Sequence, residues 1–416
     1  MMKVVIFTLL AAQGYVLQAA DDVQLALTLR AQTDFDRVIL SGAPMLRDAT
    51  ACIQSEAALV PVAPAEDQPI VHFRKGYCML ANAGITADPA AWQGAAAEFD
   101  RAIAAWPMRV AALLRKKLPM EPVSSAVRVL AQVARLKAND GTADSAALGT
   151  AIDARACPAG VMAPWLCEEI LGMGRQWQGW LALRAGDLDA AARDFTGTAG
   201  WNSWVSGRKA FRSARYAQAA ADDQSAIADW SAARRQEPLP MLARIAPPTD
   251  LSAAYMELGG AQLLAGNPTA AILSLTQAVK ERSANAQALY LRGRAQEIAG
   301  RTDAAQSDYS LASRVAFANA TDLATGEAHL YRGILLYRRA RYSEAEDEFS
   351  SALSFEIAAP MRADAGAWRR LAAVKTGACE ASRAALEQAL PTVSPYFPKD
   401  EARNAMAACV DSPARE

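Results

Sequence analysis

The chain has 416 residues, of which 52% are hydrophobic, with 43 Lys+Arg against 44 Asp+Glu and only two histidines. That length suits two or three compact domains or one extended solenoid. The even charge balance argues against nucleic acid as a bulk electrostatic partner, and His72 and His329 lie too far apart in sequence for a histidine-rich metal site.

Met1 to Ala20 reads as an export signal: Lys3 supplies a positive start, Val4 to Ala12 is apolar, and Ala19-Ala20 precede Asp21-Asp22. Leu17 and Gln18 stand where a small residue is usual, so an uncleaved anchor is the rival reading. No cysteine lies near the expected cut, which disfavours a lipoprotein. No later stretch is long and apolar enough to span a bilayer. The expected location is periplasmic or secreted, with no span once the signal is removed.

Residues 21–155 read as a helical N-terminal region. Val23 to Arg30 forms a short helix, and Asp34 to Leu59 is helical with a break at Gly42-Ala43-Pro44. Val60 to Pro69 carries three prolines and reads as a loop. Ile70 to Ala83 is the next helix, with His72 at its start as a surface or capping residue. Asp88-Pro89 opens another, which carries Ala95, Phe99 and Ala102 and closes at Pro107. Met108 to Leu118 and Pro122 to Ala138 are amphipathic, and Val127, Leu130, Val133 and Leu136 mark one apolar face. Ser145 to Arg155 is helical, and Cys157 to Pro164 is a loop.

The six cysteines allow 15 pairings. An exported chain with an even number favours disulfides, and the sequential set Cys52–Cys78, Cys157–Cys167 and Cys379–Cys409 closes three local segments. Buried free thiols are the alternative. No C-x-x-C occurs, so neither a zinc ribbon nor a thioredoxin-like site is supported.

From 156 to 395 a frame of small and large residues recurs. Its clearest copies are Gly259, Gly266-Asn267, Ala271, Leu275, Ala278; Gly293, Gly300-Arg301, Ala305, Tyr309, Ala312; and Gly333, Ala340-Arg341, Ala345, Phe349, Ala352. The internal spacing is identical in all three. Small residues let two antiparallel helices cross closely, and the large residue fills the space between them. Gly179, Gly186-Asp187, Ala191 and Phe195 fit the frame. Gly207, Arg215, Ala219 and Ala226 fit it again, but Asp223 stands where a large residue is expected. Gln236 to Thr249, with four prolines, reads as a crossover on the surface. A degraded copy retains Trp368, Leu371-Ala372, Gly377, Leu386 and Ala389, and 396–416 forms a capping helix and tail.

This frame resembles the tetratricopeptide repeat family, whose unit is a 34-residue helix-turn-helix. The resemblance covers Gly172 to Leu390 well and Ile70 to Pro107 weakly. It implies an all-α, right-handed solenoid, in which one hairpin cannot bury its own apolar face and stacked hairpins can. It also implies that the first helix of each pair lines a concave groove. On that stripe fall Trp180 and Arg184; Trp201, Trp204, Arg208 and Arg212; Tyr290 and Arg294; and Tyr337 and Arg338. Aromatics and arginine are enriched at binding hot spots, although aromatics on a helix face also pack between neighbours. Some family members clamp a partner's C-terminal carboxylate with lysine and asparagine at set places, and no copy here carries either.

Catalytic patterns are isolated. Ser206-Gly207-Arg208-Lys209 has S-x-x-K form and Lys375-Thr376-Gly377 reads KTG, but no S-D-N lies between them and both fall in repeat helices or turns. The expected function is therefore an exported scaffold or adaptor that binds a protein or peptide in its groove. It needs no cofactor, metal or catalytic residue. The alternative is a ligand-binding protein or enzyme with its site in the N-terminal half, and a third reading is a structural envelope protein.

Overall fold

Alanine-rich runs interrupted by capping residues divide the chain into paired helices. The computed structural model describes residues 22–41, 44–117, 123–139, 143, 145–157, 164–235, 241–318 and 321–410. The export signal expected at 1–20 lies outside them. By its contacts the chain forms two units. One runs to Thr198 and takes in Ala232–Pro248, and the other comprises Ala199–Ser231 and everything from Thr249 onward. The boundary expected at 155/156 falls inside the first.

The first unit holds the hairpins α1 (Asp22–Leu40) with α2 (Leu46–Leu59), α3 (Gln68–Thr86) with α4 (Pro89–Arg115), α5 (Ser125–Ala138) with α6 (Ser145–Ala154), and α7 (Pro164–Arg184) with α8 (Leu188–Asp194). The second opens with α9 (Trp201–Arg212) against α10 (Tyr216–Arg234), whose last turn crosses into the first unit. The first unit then adds the short α11 (Met241–Ile245). In the second unit follow α12 (Leu251–Leu264) with α13 (Pro268–Glu281), α14 (Ala286–Ile298) with α15 (Thr302–Ala318), α16 (Asp322–Arg338) with α17 (Tyr342–Ser354), and α18 (Ala359–Lys375) with α19 (Cys379–Ala389). α20 (Lys399–Val410) packs on α18 and α19. Among the described residues there is no strand, and no helix is long and apolar enough to cross a membrane.

The turns use the chemistry that the frame implies. Gly266 and Gly300 hold φ of +81° and +75°, which glycine adopts without a Cβ penalty. The side chain of Asn267 then caps α13 by accepting from Ala270 N–H at 3.3 Å, and Asn285 caps α14 by accepting from Ala288 N–H at 3.0 Å.

Hairpins that carry the frame cross at its glycine. A Cβ built on Gly259, Gly293, Gly333 or Gly179 would lie 2.5, 2.7, 2.6 or 2.9 Å from Leu275, Tyr309, Phe349 or Phe195. The α3–α4 hairpin follows the same rule, with Gly76 against the Phe99 ring at 3.0 Å. There the glycine precedes its large partner by 23 residues instead of 16. Seven added residues make about two helical turns, one on each arm, so the same faces still meet.

Three local expectations change. Asp22–Leu40 is one helix, not a short helix and a separate one. Pro107 does not close α4, which runs through it to Arg115. Proline there removes one N–H donor, but Trp106 and Arg109 on either side are 1% and 3% exposed, and that burial offsets the lost bond. Gln236–Thr249 is not simply a surface crossover, because Met241 and Ile245 are buried in the core of the first unit; residues 236–240 lie outside the described residues. The disulfides join Cys52 to Cys78 across α2 and α3, Cys157 to Cys167 at the start of α7, and Cys379 to Cys409 across α19 and α20.

Two glycines in the second unit should respond in opposite directions. The Phe349 ring is backed by Trp368, stacked at 6.0 Å, and cannot retreat from a new side chain. Gly333→Val should cost about 1–3 kcal/mol. A Cβ on Gly366, inside α18, meets nothing within 4 Å, so Gly366→Ala should gain roughly 0.5–1 kcal/mol. Urea denaturation of both variants checks the pair.

Candidate functional site

Within the second unit the first helices lie side by side, α12 beside α14 and α16 beside α18. Their shared face collects most of the stripe residues expected to bind a partner, but several are already engaged. Trp201 and Trp204 are 4% and 6% exposed and form an edge-to-face cluster with Trp230 of α10, centroids 5.0–5.6 Å apart. Arg208 lies 4.2 Å over the Trp204 ring and grips Glu257 of α12 with Nε and Nη2. Arg212 is exposed at the end of α9.

Further along, Tyr290 stacks on Tyr331 at 5.1 Å, and Tyr337 packs edge-on to Trp368. Arg294 is 7% exposed and donates to Glu297. Glu297 also accepts from the Tyr309 hydroxyl at 2.7 Å and pairs with Arg338 at 2.6 Å. Arg338 lies over Trp368 and Tyr337, and its Nη1 reaches both carboxylate oxygens of Glu401 at 2.9 and 2.7 Å. Tyr337 donates to the same carboxylate at 3.1 Å. Glu401 belongs to the C-terminal segment, so that segment covers part of the face. Ser394 donates its N–H and Oγ–H to the two oxygens of Asp364 at 2.7 and 2.6 Å, and Phe397 packs edge-on to Trp368 at 5.2 Å. Tyr396 reaches Gly260 of α12 and Phe211 of α9. Beside it an open cavity of about 460 Å³ remains over Leu263, Leu264, Arg294 and Ile298.

The first unit repeats this on a smaller scale. Arg184 lies 4.8 Å over Trp180 on α7. Next to them, α11 packs against α3, the Trp177 indole donates to the Ile245 carbonyl at 2.9 Å, and Lys137 donates to the Arg244 carbonyl at 3.1 Å. Burial lowers the pKa of Lys137. A second cavity of about 460 Å³ opens near Leu29, Thr33 and Ala51. Its charges already pair within α1, Arg37 with Asp34 at 3.3 Å and Arg30 with Asp34 at 3.9 Å.

A polar device escaped the sequence reading. The residue before the crossing glycine pairs with the residue before the large side chain. These pairs are Lys75–Glu98 at 2.9 Å, Arg292–Asp308 at 2.6 Å, Arg332–Glu348 at 3.4 Å, and Ser206 donating to Asp222 at 2.8 Å. Both histidines join it, each four residues before the glycine: His72 Nδ1 lies 2.7 Å from Glu98, and His329 Nδ1 lies 2.8 Å from Glu348. His72 is therefore a partly buried hydrogen-bond partner of Glu98, not a surface cap. Burial pushes the Glu98 carboxyl up, but its hydrogen bonds to Lys75 and His72 outweigh that and hold it below the usual carboxylate range. In-frame alignment of these positions was the available signal.

Among the described residues no group of three histidine, cysteine or acidic side chains is placed to hold a metal ion. The repeated Gly-crossed hairpins, with first helices in register, decide the fold. Each unit is an all-α solenoid of stacked hairpins, and those crossed at a glycine have the tetratricopeptide-like frame. No family model matches the chain, and no curated protein matches it. Similar solved structures include yeast Tom70 (TM-score 0.36, 10% identity, 94% of this chain and 96% of that one). They also include the TPR domain of P58(IPK) (0.24, 12%, 91% and 97%) and the APC/C hetero-tetramer Cut9–Hcn1 (0.31, 14%, 93% and 87%). The fold assignment rests on the hairpins of this chain.

Asp223, in the place of a large apolar residue, has a distinct consequence. It is 2% exposed beside Gly207, with Oδ1 unpartnered. Burial, then the nearby Glu257 carboxylate, pushes its pKa from the usual 3.8 to about 8, against the opposing pull of Arg208. In the first unit, burial likewise pushes Glu56 up to about 7. A carboxyl raised in the folded chain keeps a proton that the unfolded chain releases. The Asp223 contribution to stability is then full below about pH 3.8 and is lost as pH rises through about 8. Asp223→Leu, which supplies the side chain that Leu275 provides in the α12–α13 hairpin, should flatten this slope in the second unit and stabilise it at pH 8. Chemical denaturation across pH 4–8 measures it.

Proposed function

We propose that this chain is an exported adaptor that holds a protein or peptide partner on the first-helix face of its second unit and performs no chemistry of its own. The observation that carries this reading is the uncovered part of that face. Ile298 is 58% exposed beside Leu264 and Arg294, at the floor of the cavity next to the C-terminal segment. A large apolar side chain left in water among aromatic and arginine neighbours is what a docking hot spot requires. The same face already grips a non-repeat segment through an aromatic contact and an arginine–carboxylate pair, the interactions a partner would use. Three disulfides favour an oxidising compartment, in keeping with export. Trp180 and Arg184 would form a lesser contact on the first unit, while Trp201 and Trp204 support the face from below.

The test is crosslinking capture from the envelope fraction of the source cell, comparing the wild type with Leu264→Asp/Ile298→Asp. Leu273→Asp is the control, because Leu273 is 67% exposed on a second helix, away from this face. A partner recovered by the wild type and the control should fall at least tenfold with the double variant, about 1.4 kcal/mol or more. Equal recovery by all three proteins would show that the partner docks elsewhere.

A further inference from the structure

The C-terminal segment does more than end the array. Residues 393–401 belong to no hairpin, yet they reach along the first helices of the second unit. Tyr396 meets Gly260 on α12 and lines the cavity with Arg294 of α14, Glu401 pairs with Arg338 on α16, and Ser394 and Phe397 engage Asp364 and Trp368 on α18. Pro395 and Pro398 bracket the aromatic pair and restrict its backbone, which lowers the entropy cost of holding it in place. The segment is also tied at both ends, by the chain from α19 and by the Cys379–Cys409 bond in α20. Such a tether gives a peptide a local concentration of about millimolar order at its site.

We propose that residues 393–401 are a resident ligand of this face, and that the partner is a chain segment of the same chemistry. That chemistry is an aromatic side chain for Trp368, followed four residues later by a carboxylate for Arg338, and the partner competes with the resident segment for both. This rests on the reading that the first-helix face of the second unit is the docking site. The tether sets the threshold, since a free segment must outbind one already held in place. Loosening it exposes the face.

The probe is a fluorescein-labelled peptide of residues 391–405, added to the full-length chain. Cys379→Ser/Cys409→Ser combined with Glu401→Gln removes the bond and weakens the Arg338 contact without altering Phe397 itself. Hydrogen exchange of residues 399–410 reports whether the segment opens, and far-UV circular dichroism reports that the hairpins persist. The opened variant should bind the peptide at least tenfold more tightly than the wild type. A peptide carrying Phe397→Ala and Glu401→Lys should not bind. Equal binding by wild type and variant, or an opened and folded variant that ignores the peptide, overturns the proposal. So does a segment that stays fully protected in the variant, which would make it a permanent cap. The peptide assay needs no natural partner, so its failure leaves the Ile298 docking test standing, and failure of that test leaves the peptide result intact.

Discussion

The structure depends on one close approach, the crossing of two helices at a glycine backed by a large side chain. Where Gly293 meets Tyr309 or Gly333 meets Phe349, a single added methyl would lie 2.7 or 2.6 Å from the partner ring, well inside van der Waals contact. The tight crossing fixes the spacing of each hairpin, and that spacing lets the next hairpin stack and bury the opposite face of the same large residue. Tyr309, Phe349 and Phe99 are fully buried as a result. The α3–α4 hairpin shows that the crossing matters more than the length. Its arms are each about a turn longer, but the glycine and the phenylalanine still meet, because whole turns restore the face.

One residue before each crossing partner, the same geometry brings polar groups together. Glu98 is 3% exposed and gathers Lys75, His72 and Arg101, and Asp308 takes a two-pronged grip from Arg292. Partly buried ion pairs of this kind add little net stability but are costly to break. They also set the register of one helix against the other, since a shift by one residue would strand a charge. Asp223 breaks the pattern from inside, with a carboxyl where the other hairpins place a ring or a leucine.

The faces formed by the first helices are not bare. In the first unit α11 sits against α3, held by Trp177 and Lys137, and in the second unit the segment around Phe397 does the same against Asp364, Trp368 and Arg338. Each array thus carries a piece of its own chain on the surface where a repeat protein has room for a partner. The space left over on the proposed docking face of the second unit is the apolar floor around Ile298.

The amino-acid sequence alone determined the helices, the turns and the repeat register. All three follow from short-range periodicity and from the special backbone freedom of glycine, and a 16-residue spacing from glycine to large side chain survives in the clear copies. It also placed Tyr290 and Arg294 on one helix face, because residues four apart share it. What occupies that face was decided only in three dimensions. Trp201 and Trp204 turn inward because Trp230, on the neighbouring helix, completes their cluster. Met241, Ile245 and Phe397 are buried by helices distant in sequence, and no local period marks their segments. Periodic patterns encode what a helix does to its neighbour, whereas a non-repeating segment finds its place only when the whole face has been built.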